Sequence, residues 1–125
     1  MKTQPAQDLI LQAWWDEALI YSDHFFDTTA NLNAFESHDK LPLYGELRNI
    51  RDSFENAEYP HFVSGARQYL LNSMSEVMLS FRAYFAGDAE AARLYMHTAQ
   101  HELLNLQAEM DRLGVGVRGG DQVLH

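Results

Sequence analysis

The sequence contains no cysteine, few basic residues and no long apolar run. Without cysteine the chain can form no disulfide, thiolate zinc site or cysteine nucleophile, which fits a reducing compartment. Nine lysines and arginines stand against 18 acids, so a formal net charge of −9 disfavours binding to nucleic acid or to an anionic membrane. No window approaches the ~20 apolar residues that cross a bilayer, and no apolar stretch typical of a signal peptide begins the sequence. We therefore expect a cytoplasmic protein.

Glycine and proline are also sparse, and their placement indicates one domain with a tail. Three prolines and seven glycines in 125 residues exclude collagen-like and low-complexity classes. Hydrophobic residues make up 46% of the chain, which is enough for one core. Four of the seven glycines lie in residues 114–125. We predict a single helical domain over residues 1–113 and a flexible glycine-rich tail over 114–125.

The clearest helix is predicted over residues 88–113. Its apolar seam has the spacing 4-3-4-3-4-3, which is typical of a helix packed on other helices, and consists of Ala92, Met96, Ala99, Leu103, Leu106, Met110 and Leu113. Asp88 precedes the seam as a suitable N-cap, and Gly114 follows it where a C-terminal glycine belongs.

Three further helices follow from the same periodicity. They are predicted over about residues 6–36, 43–57 and 61–86, with Pro42 and Pro60 restarting the chain and Gly87 ending the third helix. No segment alternates apolar and polar residues over a useful length. The predicted fold class is therefore all-α, an up-down-up-down four-helix bundle.

A histidine pair is the best candidate for metal chemistry. His97 and His101 are four residues apart on one predicted helix, where two imidazoles can reach the same ion. Glu102 follows the pair, and His24 and Asp27 of the first helix offer further ligands. We predict no cofactor, and two solvated surface histidines are the simpler interpretation of the pair. A divalent metal such as zinc is the alternative that this set of ligands would allow.

This pair resembles part of the ligand sets of two families of metal-binding helical bundles, the hemerythrins and the DinB-like proteins. Both families place a His-x-x-x-His pair on one helix. A hemerythrin-like site also needs a His-x-x-x-Glu pair, whereas His61 is followed by Phe62-Val63-Ser64-Gly65. The chain is therefore assigned to neither family.

The same histidines also belong to a possible interface. Leu94, His97, His101 and Leu104 form a second stripe opposite the apolar seam of the last helix. A homodimer across this helix would bury the stripe, and Trp15, beside the seam residue Trp14, is a further candidate contact. Two scattered surface leucines are the simpler interpretation.

The acidity is concentrated near the N-terminus. Residues 3–39 contain no lysine or arginine but seven acids, namely Asp8, Asp16, Glu17, Asp23, Asp27, Glu36 and Asp39. Such a segment is either a solvated outer face or a docking surface for a basic protein, as in an immunity protein or a nucleic-acid mimic.

No arrangement of nucleophile, base and orienting group stands out in the sequence. We therefore predict a non-catalytic protein that acts through protein–protein interaction, as a homodimer. Metal binding and docking of a basic partner are the two alternatives.

Overall fold

Four consecutive α-helices make up the protein in the computed structural model, which describes residues 5–34 and 40–114 and the side chains of 7–31 and 41–114. They are α1 (Pro5–Ala34), α2 (Lys40–Asn56), α3 (Ser64–Phe85) and α4 (Ala89–Leu113), and one 3-10 turn (His61–Val63) directly precedes α3. The two ranges contain no strand, so the predicted all-α class is confirmed.

Helices that are neighbours in sequence are also neighbours in space. The pair of α3 and α4 has the most extensive backbone contact, α1 packs mainly on α2, and α2 packs on α3. This order confirms the predicted up-down-up-down bundle. It also leaves α1 and α4 with broad outer faces.

The predicted helix bounds agree with the structure to within about one turn. Pro42 lies inside the first turn of α2 rather than before it, where its missing N–H costs no helical hydrogen bond. The segment predicted as a helix from residue 61 begins as the 3-10 turn, and its α-helical part starts at Ser64. The predicted end of the first helix at residue 36 and the tail beyond Gly114 lie outside the described residues.

The connection between α3 and α4 is a glycine turn that closes one helix and opens the next. The Gly87 N–H donates to the carbonyl of Tyr84 at 3.0 Å, and the Asp88 N–H donates to that of Ala83 at 2.9 Å, which is the Schellman arrangement. Gly87 has a φ of +85°, a left-handed conformation that favours glycine. The Asp88 carboxylate then accepts the Ala91 N–H at 3.1 Å and caps α4.

The predicted seams form the core. On α4 the buried side chains are Ala92, Ala99, Leu106 and Met110, all from the predicted seam. The largest fully buried hydrophobic side chains come from all four helices, namely Phe25, Leu47, Leu70, Leu71, Met74 and Met110. Ser80 of α3 adds a buried hydrogen bond of 2.7 Å to the carbonyl of Ala92 on α4. The second half of the chain is thus held by both apolar packing and a satisfied polar contact.

The apolar stripe of α3 leaves the core at its C-terminal end. Leu71, Met74 and Phe81 are buried, but Phe85 is 41% exposed and Tyr84 is 58% exposed. Phe85 instead stacks edge-on against Tyr44 of α2, with the ring centroids 6.4 Å apart. The last turn of α3 therefore makes an aromatic contact at the edge of the bundle.

Within the described ranges, no helix combines the length and the apolar character that a membrane-spanning helix needs.

Two glycine-to-alanine substitutions test this fold, because we expect them to change the stability of the protein by similar amounts in opposite directions. We expect Gly45→Ala to stabilise the protein by about 1 kcal/mol, because Gly45 lies inside α2 and an added Cβ meets no atom within 4 Å apart from its chain neighbours and the nearby backbone of α2 itself. We expect Gly87→Ala to destabilise it by about 1 kcal/mol, because its φ of +85° is unfavourable for alanine. Urea denaturation followed by circular dichroism measures both changes. A Gly87→Ala variant as stable as the parent protein would contradict the turn described above.

Candidate functional site

The outer face of α4 is the most unusual surface of the described chain. The seam of α4 is directed at the core, so the opposite side of the helix is exposed to solvent. Leu94 and Leu104 lie on that side and are 52% and 61% exposed. The predicted second stripe therefore exists as a surface, and no part of the described chain covers it.

This surface carries no fixed charge over four turns of helix. Between residues 94 and 108 no exposed side chain is an aspartate, glutamate, lysine or arginine. The stripe consists of Leu94, His97, His101, Leu104 and Ala108, and exposed Thr98, Gln100, Asn105 and Gln107 flank it. We call these nine residues the uncharged face of α4.

Glu102 is the one acid within this stretch of α4, and it is turned away from the uncharged face. Its side chain is half-buried, and its Oε1 accepts a hydrogen bond from the Asn72 amide of α3 at 3.4 Å. Ion pairs lie beyond both ends of the face, namely Arg93 with Glu90 at 2.7 Å and Arg112 with Glu109. The charges of α4 are thus found on its flanks and at its ends.

His97 and His101 stand next to each other in the middle of the uncharged face. Both are exposed, and their ring centroids are 5.0 Å apart with the ring planes at 74°. The spacing of one helical turn produces this proximity. Two neighbouring imidazoles on a solvent-exposed surface can ligate a metal ion or contribute to an interface.

The other predicted metal ligands lie elsewhere. His24 of α1 faces α2, where its Nε2 is 3.2 Å from the Glu46 carboxylate, and Asp27 is exposed on α1. Glu102 hydrogen-bonds to α3. Among the residues with described positions, no three histidine, aspartate or glutamate side chains are close enough to hold one metal ion. The structure therefore brings together only the His97–His101 pair of the predicted set.

Trp15 is part of the α1 surface rather than of the uncharged face. It is half-buried against the core, and its ring centroid is 6.2 Å from that of Trp14. Trp14 itself is only 6% exposed, which confirms its place on the α1 seam. A packed side chain of this kind offers a binding partner only its outer edge.

A cleft between α1 and α2 was not predicted from the sequence. It has a volume of about 250 Å³ and is lined by Tyr21, His24, Glu46, Asn49, Ile50 and Ser53. The His24–Glu46 contact joins the α1 side of this cleft to its α2 side. Since these residues are 22 positions apart on different helices, no local sequence pattern indicates that they meet.

Arg67 is a second residue that the sequence did not single out. Its guanidinium lies over the Tyr59 ring at 4.3 Å and donates to the carbonyl of Glu55 at 2.7 Å. Its buried Nε has no hydrogen-bond partner in the described structure. A cation at the last carbonyls of α2 is favourable for the helix dipole, so Arg67 joins the end of α2 to the start of α3.

The acids of α1 are exposed, as the sequence predicted. Asp8, Asp16, Glu17, Asp23 and Asp27 all lie on the surface, and none of them forms an ion pair with another described side chain. Glu36 and Asp39, the remaining acids of the predicted segment, are outside the described ranges. The described part of α1 therefore presents five uncompensated carboxylates.

We expect Glu109→Gln to destabilise the protein more at about pH 7 than at about pH 3. The hydrogen bond from Arg112, at 2.5 Å to Oε2, and the positive charge of that guanidinium hold the pKa of the Glu109 carboxyl below its usual range, although partial burial opposes the shift. Because the pKa is lower in the folded chain than in the unfolded chain, this stabilisation is present above the unfolded value and is lost as the pH falls through the folded value.

Urea midpoints of the parent and the variant at the two pH values test this prediction. Glu90→Gln is the matched control, because Glu90 has the same three-residue spacing to its arginine but only one hydrogen bond, in an exposed pair. A Glu109→Gln effect that is equal at both pH values would contradict it.

Comparison with known proteins gives no match. No protein-family model matches the chain, no curated protein matches its sequence, and no solved structure matches its fold.

Proposed function

We propose that the chain is a cytoplasmic, non-catalytic protein that acts through protein–protein interaction and pairs with a second copy of itself across the uncharged face of α4. The observation that carries this proposal is the absence of fixed charge on an exposed face that contains two leucines, in a chain of formal net charge −9. Two copies of an acidic protein repel each other least when the surfaces that meet carry no charge. Burial of Leu94 and Leu104 would favour the contact.

The order of residues on the face supports pairing of identical copies. Leu94 and Leu104 lie five residues before and after Ala99, and His97 and His101 lie two residues before and after it. A twofold axis perpendicular to α4 at residue 99 would therefore place Leu94 opposite Leu104 of the other copy, and His97 opposite His101. In such a contact the same patch meets itself, as twofold dimers require.

We expect Leu94→Arg and Leu104→Arg each to convert a dimer into a monomer of 14.4 kDa, because each puts two arginines into the contact. Sedimentation equilibrium measures the mass. Leu9→Arg is the matched control, since Leu9 is a leucine 72% exposed on α1. A dimer that Leu9→Arg dissociates and Leu94→Arg leaves intact would contradict the proposal and move the interface to α1.

The acidic surface of α1 supports a second candidate function, the docking of a basic protein. The five exposed acids of α1 have no ion-pair partner in the described chain, and exposed Leu9, Ile10 and Ile20 lie on the same helix. Carboxylates around apolar side chains suit a partner whose basic residues surround an apolar centre.

We expect Asp23→Asn combined with Asp27→Asn to lower the salt concentration at which the protein elutes from immobilised polylysine, because two carboxylates of the α1 surface are neutralised. Asp52→Asn combined with Asp111→Asn is the control, since it changes the net charge equally but leaves α1 unchanged. Equal shifts for the two double variants would show that only the net charge matters and would contradict a localised docking surface.

A further inference from the structure

We propose that the uncharged face of α4 holds a site for one divalent transition-metal ion, of the zinc class, that is completed only by the second copy. The ligands are His97 and His101 of each of two chains, which makes four imidazoles around one ion. This inference rests on the dimer proposed above. It adds to that dimer a bound metal ion, and binding of this ion would strengthen the association of the two chains.

The two histidines of one chain are separated by a distance that suits two ligands of the same ion. In a tetrahedral zinc site with Zn–N bonds of 2.0–2.1 Å, the centroids of two imidazole ligands are about 5.2 Å apart. The centroids of His97 and His101 are 5.0 Å apart. Both rings are exposed and so can turn about their side-chain torsions to direct a nitrogen at a shared ion. The separation that a tetrahedral ion requires is therefore already present.

One chain supplies only two of the four ligands that zinc requires. Zinc takes four, and one chain offers two on this face, because Glu102 points to α3 and His24 contacts Glu46. Within the described ranges no third histidine, aspartate or glutamate is near enough to join the pair. The site is thus incomplete in the described chain.

Twofold symmetry supplies the two missing ligands from the second chain. The two histidines are equidistant in sequence from Ala99, so a twofold axis at that residue brings four imidazoles to one point without any further ligand. The two chains together carry twice the formal charge of −9, so a cation at the axis reduces their mutual repulsion. An all-imidazole ligand set suits zinc, nickel, copper or cobalt and not calcium or magnesium, which require oxygen ligands.

The test uses the full chain without an affinity tag, stripped of metal with EDTA. Zinc is titrated by calorimetry, and the mass is followed by sedimentation at each zinc concentration. We expect one zinc to bind per two chains and the dissociation constant of the dimer to fall at least tenfold when zinc is present. Cobalt in place of zinc should give the visible absorption of a tetrahedral site.

Matched variants identify the ligands. His97→Ala combined with His101→Ala should abolish zinc binding while the helical circular dichroism is unchanged, because both side chains are exposed. His61→Ala is the control, since His61 is exposed on the 3-10 turn outside α4. It should bind zinc as the parent protein does.

The results of these experiments distinguish a failure of the proposed metal site from a failure of the proposed dimer. A dimer in EDTA that binds no more zinc than the double variant would overturn the metal site and leave the proposed dimer in place. A monomer with one zinc per chain would overturn both, with the further ligands supplied by the same chain. A monomer in EDTA that becomes a dimer at half an equivalent of zinc would support both.

Discussion

The packing of α4 against α3 is the constraint on which the other features of the protein depend. Gly87 and Asp88 end one helix and cap the next within two residues, so the two helices must return along each other. Their extensive contact then buries the seam of α4, and the Ser80 hydrogen bond fixes its position. Since a helix has only one other side, the same packing exposes the uncharged face.

The distribution of charge distinguishes the uncharged face of α4 from the surface of α1. All five acids of α1 are exposed and form no ion pair with another described side chain, whereas the charges of α4 lie at its ends or point to α3. A chain of net charge −9 can approach an identical chain most easily where neither presents a carboxylate. The surface proposed for self-association and the surface proposed for a basic partner therefore lie on different helices.

The contacts between helices depend on side chains that are distant in sequence. The His24–Glu46 pair joins the walls of the cleft between α1 and α2, and Arg67 of α3 reaches the last carbonyls of α2. Arg51 similarly joins α2 to α3 through a hydrogen bond of 2.6 Å to Ser75. Each contact requires two helices to be in place already, so none is visible as a local motif.

The sequence predicts the four helices, their apolar seams and the Gly87–Asp88 turn, because helical periodicity and capping are local properties of neighbouring residues. It also indicated the His97–His101 pair, since residues one turn apart meet on any helix. The packing of the helices places His24 against Glu46 instead of beside that pair, and it leaves Leu94 and Leu104 exposed in the described chain. The reason is physical: periodicity shows which residues share one face of a helix, but the packing of helices decides which faces meet.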